Sequence, residues 1–142
     1  LCECTTSNTF VTLFVGVYDH DTKTLQYVDA GHGHWIIRRA GQAPVQGEKP
    51  EKPPIGIVPD MSYTSRSLDL GIGDRIVLFS DGMIELFGPD GEQYSIDRLI
   101  KSIVESNSPQ EDVNFALDAL QNFISKGAKD DDTTIASLEI VN

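Results

Sequence analysis

The sequence has few of the features that mark export, membrane insertion or a zinc-finger type of metal site. Its two cysteines, Cys2 and Cys4, could supply at most half of a zinc site. No segment approaches the ~18 uninterrupted apolar residues of a membrane-spanning helix, and the start has no basic region followed by an apolar one. These absences predict reduced thiols, a cytoplasmic location and no membrane contact.

Basic residues are scarce as well. The 142 residues include 11 Lys and Arg against 22 Asp and Glu, which gives a net charge of −11. A surface of that sign repels phosphate backbones, so nucleic acid is not expected as a partner. Carboxylates are, however, the ligands that hard divalent cations prefer. The length is that of about one domain, so a single domain over 1–142 is predicted.

The order of apolar patterns predicts an α+β fold in which helices cover an antiparallel sheet system. Alternation and β-branched residues predict strands at 10–18, 24–30, 34–39, 61–70, 75–79 and 135–141. The first strand is apolar on both faces and is expected to be internal. Helical spacing predicts helices at 95–106, with Ser95 as a candidate cap, and at 109–126, behind a capping box at 108–111. Five of the seven prolines fall between Pro44 and Pro59, where an ordered loop or lid is predicted.

The segment 75–82 places an acidic residue at the end of a buried strand. The apolar run is followed directly by Ser80, Asp81 and Gly82, and the glycine would allow a sharp or left-handed turn. A carboxylate at the mouth of a buried strand is costly unless a cation or several donors accompany it. Asp81 is therefore a candidate metal ligand, and an Asx turn that ends the strand is the alternative.

A second acidic cluster, Asp130 to Asp132, comes directly before the last predicted strand. Three adjacent carboxylates repel one another unless solvent or a cation screens them. Taken alone, the cluster favours an exposed loop. Since this cluster and Asp81 both lie at strand ends, the sequence also predicts that the two could meet at one rim of the sheet.

Two other patterns are typical of metal sites but are incomplete. The spacing of Asp19 and Asp21 resembles a calcium-binding loop, yet the required glycine and the closing glutamate are missing. His32 and His34 would point to one face of a strand, but only one further histidine exists to complete a site. A hydrogen-bonded loop position is therefore favoured for His32.

Five ordered segments resemble the SpoIIE/RsbU branch of the metal-dependent PP2C-type (PPM) serine/threonine phosphatases. They are FVTLFVGVYD, LQYVDAGHGHWIIRR, PPIG, LGIGDRIVLFSDGMIELFGPDGEQY and DDTTIASLEI. The most specific elements are SDG with a following glutamate, and D-D-x-T before a strand. The resemblance implies a PP2C-like β-sandwich of antiparallel strands flanked by α-helices. It also implies hydrolysis of phosphoserine or phosphothreonine with two Mn²⁺ or Mg²⁺ ions, through in-line attack of an activated water.

The resemblance assigns metal ligands to both acidic segments. Asp81 matches the metal-binding aspartate of the family's S/T-D-G motif. Asp131 matches the second one in the D-x-x-T register that makes Ile135 the first residue of the strand, and Asp132 lies beside it. A register shifted by one place would select Asp130 instead.

Three further residues are expected to line the site. Gly82 follows the metal-binding aspartate, Gly56 matches a loop glycine near the site, and His32 matches a strand-end N-A-G-H motif. Glu85 matches the glutamate after SDG and is expected to be structural.

Two family motifs are missing from the 142 residues. The family supplies further metal ligands from a GDxxD segment and from DxSGHG followed by a helix, and neither occurs here. Residues 29–33 imitate the second motif, but the spacing is one residue short. The chain is therefore expected to correspond to the C-terminal two-thirds of the family domain, without its first strands and helix and with about half of the metal ligands.

Two functions follow from these observations. The first is a protein phosphatase in bacterial partner-switching signalling, whose substrate is a phosphorylated anti-sigma-factor antagonist. The second is a non-catalytic PP2C-like remnant that binds a partner protein as a regulatory module. A homodimer is compatible with either function.

Overall fold

The computed structural model describes residues 9–124 and 132–142. Its elements, in chain order, are β1 (Leu13–Asp19), β2 (Thr24–Ala30), β3 (Trp35–Arg38), β4 (Val45–Gln46), β5 (Arg66–Asp69), β6 (Arg75–Phe79), a 3₁₀ turn (Asp81–Met83), α1 (Ser95–Ser102), α2 (Pro109–Phe123) and β7 (Ile135–Glu139). The chain divides into two compact units. The first comprises 1–33 and 48–70, and the second comprises 34–47 and 71–142.

The first unit contains an antiparallel sheet with the strand order β1-β2-β5. The predicted hairpin of β1 and β2 is present, with Leu13 opposite Ala30 and Asp19 opposite Thr24. Its turn is held by the Asp19 carboxylate, which accepts hydrogen bonds from the N–H groups of Asp21 (2.8 Å) and Thr22 (3.0 Å). These bonds lower the pKa of Asp19. The Asp19 carboxylate thus closes an Asx turn at the predicted turn of this hairpin.

Strand β1 differs from the prediction of an internal strand. Within the described residues it pairs along its length with β2 alone, so it forms an edge of its sheet. Its outward face is apolar, and the side chains of Val15 and Val17 are 49% and 72% exposed. Apolarity on both faces predicts burial on both faces only when another strand or helix covers the second one. In the described chain, β1 has only one covered face.

The second unit contains a four-stranded antiparallel sheet with the order β4-β3-β6-β7. Strand β6 is central, between β3 and β7, and Val77 is fully buried. The proline-rich segment contributes only the two-residue strand β4, which lies at the sheet edge, where a missing N–H costs least. The α+β class and the antiparallel pairing predicted from the sequence are therefore confirmed.

The two helices are shorter than their periodicity predicts. Helix α1 ends at Ser102, and its N-cap is Tyr94, without a side-chain capping bond. Ser95 is not the cap, because it is already the first helical residue. The chain enters α1 from a paired segment, in which the N–H groups of Tyr94 and Ser95 donate to the carbonyls of Leu86 and Ile84.

Helix α2 begins as predicted. Ser108 is its N-cap and accepts a hydrogen bond from the N–H of Glu111 (3.2 Å), with Pro109 at the first helical position. The Glu111 carboxylate reaches one residue further back than in an ordinary capping box and accepts from the N–H of Asn107 (2.6 Å). The helix ends at Phe123, three residues before the predicted end at 126, because Ile124 is already extended. The predicted glycine stop at Gly127 lies outside the described residues.

Both helices pack on the sheet through their apolar stripes. One core cluster contains Ile36, Val77, Phe79, Met83, Tyr94, Leu99, Ile103, Ala116 and Leu120. Val104, which falls within the predicted helix 95–106, lies after the observed end of α1 and is 37% exposed. None of the described helices is both long enough and apolar enough to cross a bilayer.

Shortening Leu120 should measure how much this packing contributes. Its side chain is 3% exposed in the core cluster, so Leu120→Ala is expected to lower the free energy of unfolding by about 2–5 kcal/mol. Leu117 lies one turn earlier and is only partly buried, so Leu117→Ala should cost less. Urea denaturation followed by circular dichroism measures both. A loss below about 0.5 kcal/mol for Leu120→Ala would mean that the stripe faces solvent.

A buried charged cluster ties α2 to the sheet. Asp112 in α2 is completely buried, and its carboxylate accepts hydrogen bonds from the hydroxyls of Ser106 and of Ser137 in β7 (2.7 Å for the latter). Arg75 at the start of β6 is 5% exposed, with Nη1 3.4 Å from Asp112 Oδ2 and Nη2 donating to the Ser106 carbonyl (3.0 Å). Arg38 in β3 also donates to the Ser106 hydroxyl (2.9 Å). Three strands and a helix therefore meet at this ion pair, in which Arg75 Nη1 lies at ion-pair distance from Asp112 but makes no hydrogen bond.

A second ion pair, between Asp74 and Arg39, holds the segment that leads into β6. The Asp74 carboxylate binds the Arg39 guanidinium (2.7 Å) and accepts from the N–H groups of Ala40 (2.8 Å) and Gly71 (3.0 Å). Burial raises the pKa of Asp74, but the bonds from Ala40, Arg39 and Gly71 outweigh it, so the pKa is lowered. Asp74 therefore stays ionised and fixes the chain just before the strand that leads to Asp81.

Candidate metal centre

The C-terminal end of β6 and the start of β7 bring Asp81 close to Asp132, the described residue of the second acidic segment. These strands are antiparallel, and their last registered pair is Phe79 with Ile135. The ladder continues one bond further, because the Ser80 N–H donates to the carbonyl of Thr134 (2.9 Å). The residues after β6 and those before β7 are consequently neighbours at one edge of the second unit's sheet.

We call the contact between residues 80–82 and residues 132–134 the junction. The Ser80 side chain adds two contacts to it. Its hydroxyl oxygen accepts a hydrogen bond from the Thr134 N–H at 2.9 Å. It also lies 3.4 Å from the carbonyl oxygen of Asp132, toward which it donates. The Asp132–Thr134 backbone is thereby fixed next to Asp81 by a side chain that the sequence analysis did not single out. A serine directly before Asp-Gly at a strand end was the available signal.

Gly82 is required here for space. A Cβ added to Gly82 would lie 2.5 Å from the carbonyl oxygen of Asp132, well inside any van der Waals contact. Its backbone belongs to a 3₁₀ turn, and its φ is not among the positive values of the described glycines. The left-handed turn offered as one explanation for this glycine is therefore wrong, because the close approach of the 132–134 segment is what excludes a side chain.

Asp81 presents its carboxylate to solvent from a fixed backbone. Its carbonyl accepts from the N–H groups of Ile84 (2.9 Å) and Glu85 (3.0 Å), which closes the 3₁₀ turn. One carboxylate oxygen accepts from the N–H of Gly82 (2.9 Å). In the described ranges, Asp81 takes part in none of the ion pairs. This side chain is therefore open to a ligand from solvent.

The donor chemistry at this edge fits a hard divalent cation. Asp81 and Asp132 are both exposed and both offer oxygen ligands, which Mn²⁺ and Mg²⁺ accept. The described part of the chain contains no group of three or more His, Cys, Asp or Glu side chains placed to hold a metal ion. Asp130 and Asp131 lie outside the described residues. The described donors are thus of the type that Mn²⁺ and Mg²⁺ accept. The role of Asp131 as a metal ligand stays a prediction.

Gly56 and His32, the other predicted lining residues, belong to the first unit. Gly56 has φ +101°, and a Cβ there would lie 2.8 Å from the Thr9 carbonyl oxygen. The His32 N–H donates to the carboxylate of Asp29 (2.8 Å), which is 9% exposed, and the His32 ring meets the Phe14 ring edge to face at 6.5 Å. Asp29 thus holds the A-G-H loop, a role that the sequence analysis missed. The predicted contribution of Gly56 and His32 to a metal centre stays a prediction.

Solved structures define the class of fold to which the chain belongs. The RsbU and RsbW domains of Rv1364c from Mycobacterium tuberculosis match with 26% identity and a TM-score of 0.70, over 90% of this chain and 35% of that one. The manganese-presoaked phosphatase domain of SpoIIE from Bacillus subtilis matches with 22% identity and a TM-score of 0.68, over 93% and 57%. RsbX in complex with magnesium matches with 15% identity and a TM-score of 0.58, over 90% and 55%. The fold is that of PP2C-type phosphatase domains.

The family model described as Stage II sporulation protein E (SpoIIE) matches residues 1–141, and the chain belongs to this family. Among curated proteins, Protein IcfG of Synechocystis sp. is 27% identical over 104 residues, which cover 73% of this chain and 16% of IcfG. The chain therefore spans only a small part of that relative, and between about a third and three-fifths of the structures named above.

Proposed function

We propose that the chain is a phosphoserine/phosphothreonine phosphatase domain that depends on Mn²⁺ or Mg²⁺. The observation that carries this proposal is the junction at the ends of β6 and β7, where Ser80, Asp81 and Gly82 lie against the backbone of Asp132–Thr134. The junction joins Ser80 to Asp132, which are 52 residues apart in the sequence. Membership of the SpoIIE family supports the same assignment.

In this proposal Asp81, Asp131 and Asp132 hold the metal. A divalent cation, when bound, supplies positive charge that neutralises a phosphate group and lowers the pKa of a water molecule. The protein contributes a rigid backbone below Asp81, through the two bonds to the Asp81 carbonyl. It also leaves Asp81 and Asp132 exposed, so a phosphorylated side chain of another protein can reach them. Support for Mn²⁺ and Mg²⁺ comes from the metals named for the SpoIIE and RsbX structures.

The proposed partner is a phosphorylated anti-sigma-factor antagonist in the cytoplasm. This assignment is supported by the family and by the pairing of RsbU and RsbW domains in the Mycobacterium tuberculosis protein. The net charge of −11 disfavours nucleic acid as an alternative ligand. A homodimer is compatible with this function.

The second candidate is a non-catalytic module that keeps the fold and binds a partner protein. It is favoured by one specific observation: the 142 residues contain neither the GDxxD nor the DxSGHG ligand motif. A cation held mainly by two or three aspartates would be bound mostly by water and would polarise phosphate less. The loss of several ligands acts on one transition state, so it is not merely additive.

A Mn²⁺ titration with Asp81→Asn tests the proposed site. We expect Mn²⁺ to broaden the NMR amide signals of residues 80–82 and 132–134 in the unchanged chain. Asp81→Asn should weaken this binding by at least about 10-fold, since even the loss of a ligand's hydrogen-bond partner costs about 10–100-fold. Asp118→Asn, on the exposed face of α2, is the matched control and should leave binding unchanged. Mn²⁺ binding that survives in Asp81→Asn would remove Asp81 from the site.

Release of phosphate from a phosphomonoester, with and without Mn²⁺, separates the two candidate functions. The 142-residue chain is expected to turn over barely above background. Robust Mn²⁺-dependent release that Asp81→Asn abolishes would show that the residues present suffice for catalysis. Mn²⁺ binding without any turnover would favour the binding module.

A further inference from the structure

Ser80 occupies a capping position but does not cap. It is the residue before the 3₁₀ turn, with φ −81° and ψ 160°, and its side chain makes no capping hydrogen bond. A serine in this position ordinarily accepts a bond from an N–H of the first helical turn. Here the same oxygen accepts instead from the N–H of Thr134, on the facing segment. The hydroxyl therefore serves the junction and leaves the turn uncapped.

The two contacts of this hydroxyl lie on either side of Thr133. One is the 2.9 Å bond from the Thr134 N–H, and the other is the longer 3.4 Å contact to the Asp132 carbonyl. Together with the backbone bond from the Ser80 N–H to the Thr134 carbonyl, they tie the segment before β7 to the residue that precedes Asp81. The backbone of Asp132 cannot move away from Asp81 without breaking them.

We propose that Ser80 is a positioning residue that sets the separation of Asp81 and Asp132 for metal binding. This inference rests on the function proposed above and deepens it. Ser80 holds the 132–134 backbone close to Asp81. Gly82 has no side chain and so leaves space for that backbone, since a Cβ there would lie 2.5 Å from the Asp132 carbonyl oxygen. Ser80 is not itself a proposed metal ligand. It acts through the backbone that carries the second carboxylate.

The sharpest test compares Ser80→Thr with Ser80→Val, which differ in one hydroxyl and have nearly the same shape. Threonine keeps the oxygen that accepts from Thr134, whereas valine cannot accept a hydrogen bond. We expect Ser80→Val to speed hydrogen exchange of the Thr134 amide and to weaken Mn²⁺ binding by about 10–100-fold, the usual effect of losing a partner that orients a metal ligand. Ser80→Thr should stay close to the unchanged chain in both measurements.

Ser137→Ala is the control for stability alone. Ser137 lies in β7 and donates to the buried Asp112 (2.7 Å), so this variant should be destabilised without disturbing the junction. Its Mn²⁺ affinity is expected to be unchanged.

Equal Mn²⁺ affinity in Ser80→Val and Ser80→Thr would overturn this inference but not the proposed metal site. A loss of Mn²⁺ affinity in Ser137→Ala as large as that in Ser80→Val would do the same. Absence of Mn²⁺ binding in the unchanged chain would overturn the proposed metal site together with this inference.

Discussion

Replacing Asp112 with alanine is expected to lower the free energy of unfolding by about 3–5 kcal/mol, the usual cost of removing one partner of a buried ion pair. The Asp112 carboxylate is completely buried, and Arg75 opposite it is 5% exposed. Without the carboxylate, the charged Arg75 guanidinium would remain buried without a counter-ion. The hydroxyls of Ser106 and Ser137 would each lose an acceptor as well.

Urea denaturation followed by circular dichroism gives this loss directly. Asp118→Ala is the matched control, because Asp118 lies in the same helix but faces solvent, and it should change stability by less than about 0.5 kcal/mol. A double variant, Arg75→Met with Asp112→Leu, should recover much of the loss, since apolar pairs of similar volume often replace buried ion pairs without cost. A loss below about 1 kcal/mol in Asp112→Ala would mean that the pair is hydrated in solution.

Gly82→Ala is expected to damage both stability and metal binding. The new Cβ would lie 2.5 Å from the carbonyl oxygen of Asp132. Because that atom belongs to the backbone, no side-chain rotation relieves the clash. The end of β6 and the start of β7 must therefore separate. The cost should be about 1–3 kcal/mol, as in other overpacked sites, accompanied by weaker Mn²⁺ binding.

Gly71→Ala provides the comparison for Gly82→Ala. The nearest atom to a Cβ at Gly71 is a carboxylate oxygen of Asp74 at 4.0 Å, and Gly71 has no positive φ. This substitution should therefore be neutral or slightly stabilising through the unfolded state. Thermal melts and Mn²⁺ titrations of the two variants would show the contrast. Unchanged Mn²⁺ affinity in Gly82→Ala would contradict the close junction of the two acidic segments.

Local patterns in the sequence predicted most of the secondary structure. The capping serine at Ser108, the apolar stripe that contains Leu120 and the β1–β2 hairpin all depend on neighbouring residues, which a single sequence displays. The end of α1 was placed too late because Val104 continues the apolar spacing. Periodicity records which residues are apolar, and it does not record where the backbone hydrogen bonds stop.

Features that depend on distant residues were not visible in the same way. Asp112 looks like an ordinary acidic residue in the first turns of a helix, where it favours the helix dipole. Its burial follows from the placement of Arg75, which belongs to another part of the sequence. The edge position of β1 and the contact of Ser80 with Thr134 are likewise set by which strands become neighbours. Asp81 became a candidate through its place at the end of a buried strand, and the motif resemblance added the expectation of a metal there.

The interleaving of the two units along the chain also affects how the protein reaches its native state. The β1–β2 hairpin joins adjacent residues, and such hairpins form in about 1–10 μs. The pairing of Trp35 with Leu78 must instead close a loop that contains the entire 48–70 segment of the first unit. Loop closure costs chain entropy before any contact compensates it. The pairing of β6 with β7 closes a still longer loop, so both pairings of β6 are expected to be slow, high-contact-order steps of folding. During synthesis, β3 and β4 leave the ribosome before β6, so the edge of β3 that pairs with β6 stays open until the central strand of their sheet arrives.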